Sequence, residues 1–466
     1  VSKRVRDPAS AEAALQLFGA ELRHWRRARG MSQAEAGRVS AMSREQITKL
    51  EAAQRWPTEG FARVMDTVLG TDGALLAIWS RLHAAEAGAD DSPDADSGLV
   101  WASASRVVQT ATDLWRADVA RHAVVRDAGW VGSAAIAPVD RWFDEAGTAV
   151  LAHSGPRHVG ANDVAIMTDM AQVFADADHR LGGGLVRDTL VTYLHQVVDP
   201  TLRGSYDDQS GRALFSAAAR LCDLAGFMSF DTARQGLGQR YYVQGLRLAK
   251  QAGERVLGAH ILSDMSMQAH YLHSPIIAQQ LAEAGHRTAV SAGSMSTAAR
   301  CSALLARAHA LAGEVGACAA ALNRAERELD RTRSDGEPEW IKFFSAEQLS
   351  AESLYAAHDL GNTSEVLRHS KQVLDRPAGM HRRRVLVAST LAGSLLPRPD
   401  TTSVEPGCDI DEACQVLADA LPAMKGLTSA RGLAAVNKVR QRLARYAGRA
   451  AVQEFENQYR RQVVMA

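Results

Sequence analysis

From Arg212 onward, apolar and small residues fall at helical spacing, and the pattern returns every forty residues. Gly226, Ser266 and Ala306 share one register. Twelve positions on stand Gly238, Ala278 and Cys318; four further come Tyr242, Ala282 and Leu322, and seven further come Gly245, Gly285 and Ala325. Small residues at these spacings let two antiparallel helices cross closely. A looser fourth unit ends in Val366, Ser370 and Val373, and a fifth in Ala413, Leu417 and Ala420. The pattern predicts a solenoid of helix hairpins, with the first helix of each pair on the concave face. That register aligns Arg220, His260 and Arg300, then Asp223 and Ser263, then Phe227, Met267 and Arg307, with His270 one turn on. The expected surface is a basic groove with aromatic and Met patches, suited to an extended peptide with carboxylates or another elongated anion. An ordinary solvated inner surface, or a dimer interface, competes with that reading.

Upstream the pattern shortens. Residues 31–51 read as two short helices joined by a tight turn. Ser32 with Glu35 makes an S-x-x-E capping box, and Ser43 with Gln46 an S-x-x-Q box. This is the geometry of a helix-turn-helix, whose second helix enters the DNA major groove. Ile47 and Leu50 can pack inward, leaving Arg44, Glu45, Thr48 and Lys49 outward. Arg44 suits guanine, Glu45 suits cytosine, and Thr48 or Lys49 can reach a base or a phosphate.

Phe18 to about Leu82 resembles the Cro/repressor type of helix-turn-helix domain, the XRE family. A basic first helix leads through Gly30 to Gln33-Ala34-Glu35; Ser43 to Glu51 matches the recognition helix, Gln54-Arg55-Trp56-Pro57 the next loop and Phe61 to Leu69 the fourth helix. The resemblance implies double-stranded DNA as partner, with Gln33 bracing on a phosphate and Ser43, Arg26 and Arg55 as further contacts. Three positions depart from the family pattern: Ala36 for a usual Leu, Ser40 for a buried aliphatic and Ala41 for a common Gly, which points to a strained turn. The forty-residue repeat resembles the tetratricopeptide repeat, with a period longer than the usual length of about thirty-four.

Charge supports this locally. The chain of 466 residues is neutral, with 53 Lys and Arg against 53 Asp and Glu, yet residues 1–60 hold eleven basic against seven acidic groups, as phosphate binding requires. A second basic stretch, Arg431 to Arg461, has the spacing of an amphipathic capping helix. Five cysteines without a C-x-x-C fit buried thiols in a reducing cytoplasm. No apolar run is expected to reach transmembrane length, and the first residues lack a signal segment, so no membrane and a cytoplasmic location are expected.

The expected organisation is all-α. It comprises an N-terminal arm (1–17), a five-helix DNA-binding domain (18–83), a flexible acidic linker (84–98), a helical connecting region (99–205), a tetratricopeptide-like solenoid (206–425) and basic capping helices (426–466). In the connecting region Trp101, Trp115, Trp130 and Trp142 are candidate core, and Val124 to Phe143 suits a short hairpin or extended piece instead. No catalytic set stands out and no cofactor is implied. Asp176, Asp178 and His179 lack a second His, Gly182-Gly183-Gly184 reads as a helix stop, and His381 to Arg384 as a solvated basic turn. The reading is a homodimeric transcriptional regulator with a peptide or small-molecule signal in its solenoid; the alternative is a scaffold whose head binds a protein.

Overall fold

The computed structural model describes residues 8–71, 106–122, 128–143, 151–332, 336–375, 380–397 and 408–464, with isolated positions 75, 76, 78, 79, 98, 99, 101 and 125. Their regular structure is helical; two isolated bridges join His153 to Tyr206 and His158 to Ser205. The acidic linker lies outside the described residues except for Gly98.

The head comprises α1 (Pro8–Ala28), α2 (Gln33–Val39), α3 (Arg44–Glu51) and α4 (Glu59–Leu69), followed by helical residues at 75, 76, 78 and 79. Residues 8–17, expected as an arm, are the first turns of α1, with Leu15 already buried. Both capping boxes form. Ser32 and Ser43 each accept a bond from the backbone three residues on, and the Glu35 and Gln46 side chains accept from the cap backbone in return. Phe18, Leu22, Ile47, Leu50, Phe61 and Met65 fill the centre.

The three departures in the turn are each accommodated. Ala36 is fully buried, and the Ser40 hydroxyl donates to the Ala36 carbonyl at 2.6 Å instead of seeking the core. Ala41 takes a left-handed φ of 54°, where a Cβ is crowded. Ala41→Gly should therefore stabilise the head by about 1 kcal/mol, read as a raised unfolding midpoint; an unchanged or lowered midpoint would show that the turn is not strained.

Next come α5 (Val107–Val119), α6 (Gly132–Phe143), α7 (Ala161–Leu181) and α8 (Gly183–Tyr193). The stretch open to a hairpin is helical from Gly132, which removes the extended alternative there. Trp115 and Trp130 are buried, while Trp101 and Trp142 are half-buried. Gly182, at φ 79°, stops α7 as expected.

Five hairpins follow, the first three at the predicted forty-residue spacing and the last two off it: α9 (Asp208–Asp231) with α10 (Gln235–Ala252), α11 (Arg255–Tyr271) with α12 (Pro275–Ala292), α13 (Met295–Leu311) with α14 (Val315–Asp330), α15 (Ala346–Asp359) with α16 (Thr363–Leu374), and α17 (His381–Leu395) with α18 (Ile410–Met424). Then α19 (Ala430–Leu443) and α20 (Ala450–Tyr459) cap the array. The small registers sit at the helix crossings. A Cβ on Gly226 would lie 2.7 Å from the Tyr242 ring and one on Gly285 2.9 Å from Cys301 Sγ, and the Ser266 hydroxyl donates to the Ala278 carbonyl at 2.7 Å. Left-handed residues end the first helices at Ala233, His273 and Gly313, again forty apart. Contrary to expectation, α9 is long and apolar enough to cross a membrane; 78% of its apolar window is buried within the fold, as in a core helix.

Two features were not anticipated. First, head and body share one continuous core: Trp25 of α1 meets Trp130 edge-on at 6.2 Å, and His24 lies 3.4 Å from the Ser274 hydroxyl at the start of α12. The freely reorienting head expected from the linker gives way to a docked one. Second, the solenoid closes on itself. Asp231, fully buried at the end of α9, accepts from Gly183 N at 3.2 Å, Arg382 at 3.1 Å, Ser429 at 2.8 Å and Arg431 at 3.1 Å, while Asp178 of α7 also takes Arg382 at 2.7 Å. The run His381–Arg384 is thus no solvated turn; it opens α17 and carries the clasp. Arg431, expected on a solvated capping helix, is likewise buried in it.

Burial alone would raise the Asp231 pKa, but Arg382 and Arg431 outweigh it and hold the carboxyl below its ordinary 3.8. A depressed folded pKa adds stability that is complete above that ordinary value and lost as pH falls below it through the folded pKa. Asp231→Ala, which strands the buried Arg431 and leaves Arg382 with Asp178 alone, should cost about 3 kcal/mol in urea unfolding at neutral pH and flatten this acid dependence. A variant unfolding with the parent's midpoint would show that the clasp does not hold the ring.

Candidate DNA-binding surface and ligand cavity

On the head, α3 is held by its inner face and bare on its outer one. Ile47 and Leu50 are fully buried, whereas Arg44, Glu45, Thr48 and Lys49 are exposed. Arg44 has no ion-pair partner among the described residues, Lys49 pairs with Glu45 at 2.8 Å, and Arg55 is exposed in the following loop. Ser43 spends its hydroxyl on the cap. Gln33 bridges the two helices, accepting from Thr48 at 3.1 Å and donating to Glu51 at 2.9 Å, which braces α2 against α3.

Arg26 is the exception. It was expected on a phosphate, yet it is buried: its Nε and Nη2 clasp the Glu51 carboxylate and its Nη1 donates to the Met31 carbonyl at 2.8 Å. It locks the recognition helix to α1 and is unavailable to DNA. Arg26→Ala should cost the head about 3 kcal/mol by leaving the buried Glu51 with only Gln33 and the half-exposed Arg23 at 3.7 Å, whereas Arg44→Ala should leave the thermal midpoint unchanged. Equal midpoints for both variants would refute the distinction.

In the body, the ring surrounds a cavity of about 570 Å³ that stays open to solvent on one side. Of the nine residues aligned by the repeat register, Arg220, Asp223, Phe227, His260, Met267, His270, Arg300 and Arg307 line it, and Ser263 is buried behind them. Its walls come from the first helices α9, α11, α13, α15 and α17, joined by α7, α19 and Phe343.

The expected open basic groove is corrected in two respects. It is a chamber, because the clasp joins the first and last turns, and most of its arginines are already matched. Arg220 pairs with Asp223 at 2.5 Å, Arg300 with Asp264 at 2.5 Å and Arg307 with Glu352 at 2.9 Å. Aromatic rings seat the same groups: Trp340 lies 5.3 Å from Arg220, Phe343 5.4 Å from Arg300 and Tyr355 4.8 Å from Arg307.

His260 sits between two of these pairs. Its Nδ1 accepts from Arg300 at 2.9 Å, and its Nε2 faces Arg220 at 3.3 Å, Asp223 at 3.4 Å and Asp264 at 3.5 Å. Burial, then Arg300, holds its pKa well below the ordinary value, so the ring is neutral. Burial pushes Asp223 and Asp264 upward against the pull of Arg220 and Arg300. Asp223, His260 and Asp264 lie close enough to hold a metal ion, but two guanidinium groups already occupy their lone pairs, so the donor set is that of an ion-pair cluster. One acceptor, Asp223 Oδ1, is buried without a donor.

At the other wall, His270 links Arg307 at 3.2 Å to Asp359 at 2.9 Å. Sequence reasoning missed the carboxylates Asp264, Glu352 and Asp359, and also Arg382, Arg383, Lys438 and Arg442 from the last helices.

Residues 17–79 match the family model of a helix-turn-helix domain. No curated protein and no solved structure matches the chain. The matched domain points to DNA binding.

Proposed function

We propose that the chain is a sequence-specific transcriptional regulator of the cytoplasm, a binder and not an enzyme, whose tetratricopeptide-like body dimerises and senses a small molecule held in the cavity. The observation that carries this reading is the bare outer face of α3, with Arg44 unpaired among the described residues and the helix locked from behind by Arg26 and Glu51. A single head covers too few base pairs to be selective in a genome, hence the dimer.

The sensing part is supported by one turn that serves both sites. His270, Tyr271 and His273 line the cavity, and Ser274, the next residue, meets His24 of α1.

Mobility shift and footprinting with genomic fragments test the reading. The footprint should show two similar half-sites about one helical turn or a multiple apart. Arg44→Ala should remove base preference at a cost of about 1 to 3 kcal/mol. A footprint unchanged in the variant, or a monomer still binding one half-site tightly, would overturn the assignment.

A further inference from the structure

We infer that the cavity selects an amphipathic organic anion, its charged group seated by Lys438 and Arg442 on α19 and its apolar body lying over Phe227, Met267, Leu386 and Val439. The inference rests on the ligand-binding reading above and moves the charge recognition away from the arginines that the repeat register singled out.

The argument is one of electrostatic matching. Eight Lys and Arg side chains line the chamber against five carboxylates, so the question is which cations remain uncompensated. Arg220, Arg300, Arg307, Arg382, Arg383 and Arg431 each have a carboxylate partner. Lys438 and Arg442 have none among the described residues. Arg442 spends its guanidinium on the carbonyl oxygens of Gly393, Leu396 and Pro397, at 2.8 to 3.1 Å, where α17 ends. Those dipoles position the group and leave its charge intact. Lys438 is exposed one turn away on the same helix, beside Ala434 and Ala435, on the accessible side of the chamber.

Both cations act on one point. His358, partly buried opposite them and bonded to the Ser394 hydroxyl at 2.7 Å, is held below its ordinary pKa by burial first and then by Lys438 and Arg442, with Asp359 opposing. His358 is therefore a neutral neighbour, and the local field is that of two cations without a carboxylate partner, opposed by Asp359, beside an apolar wall that favours an anion over a neutral molecule. A volume of about 570 Å³ admits a drug-sized molecule.

The test is a fluorescence titration of the purified full chain with 8-anilinonaphthalene-1-sulfonate, which carries a sulfonate, an N–H and two apolar ring systems. Its uncharged counterpart, N-phenyl-1-naphthylamine, is titrated in parallel. The sulfonate should saturate a single site. Lys438→Glu should weaken it at least tenfold, Lys438→Arg should restore it, and Ala435→Trp, which fills the chamber from α19, should abolish it; the neutral dye should bind weakly and ignore Lys438→Glu. Lys438 is exposed, so its variants should melt with the parent by circular dichroism. Binding indifferent to Lys438→Glu or to Ala435→Trp overturns the anion seat. If neither dye saturates, the ligand-binding reading of the cavity falls as well, whereas the footprint of the head is measured separately and is untouched by either outcome.

Discussion

The buried carboxylate Asp231, with Thr428 bonded to Leu181, Gly184 and Leu185 beside it, joins the two ends of the spiral into a ring. In a solenoid each hairpin contacts only its neighbours, so the two ends of the array have no reason to meet. Here Asp231 gathers donors from the start of α8, from α17 and from α19, and Asp178 shares Arg382 with it. Removing such charges from water is expensive unless each is matched and its remaining donors are satisfied. The Phe227 and Phe230 rings complete the seat, with Arg382 4.6 Å from the first and Arg431 4.0 Å from the second. The cavity exists because this closure exists: without it the walls formed by α17 and α19 would have nothing to face.

The same closure explains the chemistry of the interior. Once a concave surface becomes a chamber, arginines on it lose most of their water, and each must find a carboxylate, an aromatic face or a carbonyl. Arg300 takes Asp264 and Phe343, Arg307 takes Glu352 and Tyr355, and Arg442 takes the end of α17. Charge inside such a chamber is therefore read from what is left unmatched, and not from the number of basic residues on its walls.

What was legible in the chain follows the distance between interacting residues. The hairpins were visible because small residues only twelve apart, such as Ser266 and Ala278, touch each other, and the repeat copies that local signal at a fixed period. The capping boxes are more local still. The clasp was hidden because its partners lie 151 and 204 residues apart, and nothing near His381 to Arg384 distinguishes a basic helix start from a solvated turn. The docked head was hidden for the same reason: Trp25 and Trp130 meet across a segment whose composition reads as a tether. Arg26 is different, because its burial was written locally. It continues the inner face of Phe18, Leu22 and Trp25 on α1, as Glu51 continues that of Ile47 and Leu50 on α3. Opposite charges on two buried faces announce a pair, and a family's usual phosphate contacts are a weaker guide than that spacing.

Docking the head also settles what kind of coupling the molecule could support. A ligand changes DNA affinity only as far as it favours one arrangement of the heads over another. A head on a free tether would give the cavity no grip on α3, since its orientation would be averaged whatever the body does. In the docked arrangement α1 touches the recognition helix and the body at once: α3 through Arg26 and Glu51, α6 through Trp25 and Trp130, and the turn after α11 through His24 and Ser274. That turn holds His273 in a left-handed conformation with φ 54°, a backbone state that costs a non-glycine residue about 1 to 2 kcal/mol and persists only while its surroundings impose it. His273 lines the chamber while Ser274 meets the head, so an occupant that shifts the end of α11 must either move α1 with it or break the contact between them. Under the proposed sensing role, this contact is the path by which a change at the end of α11 reaches α1.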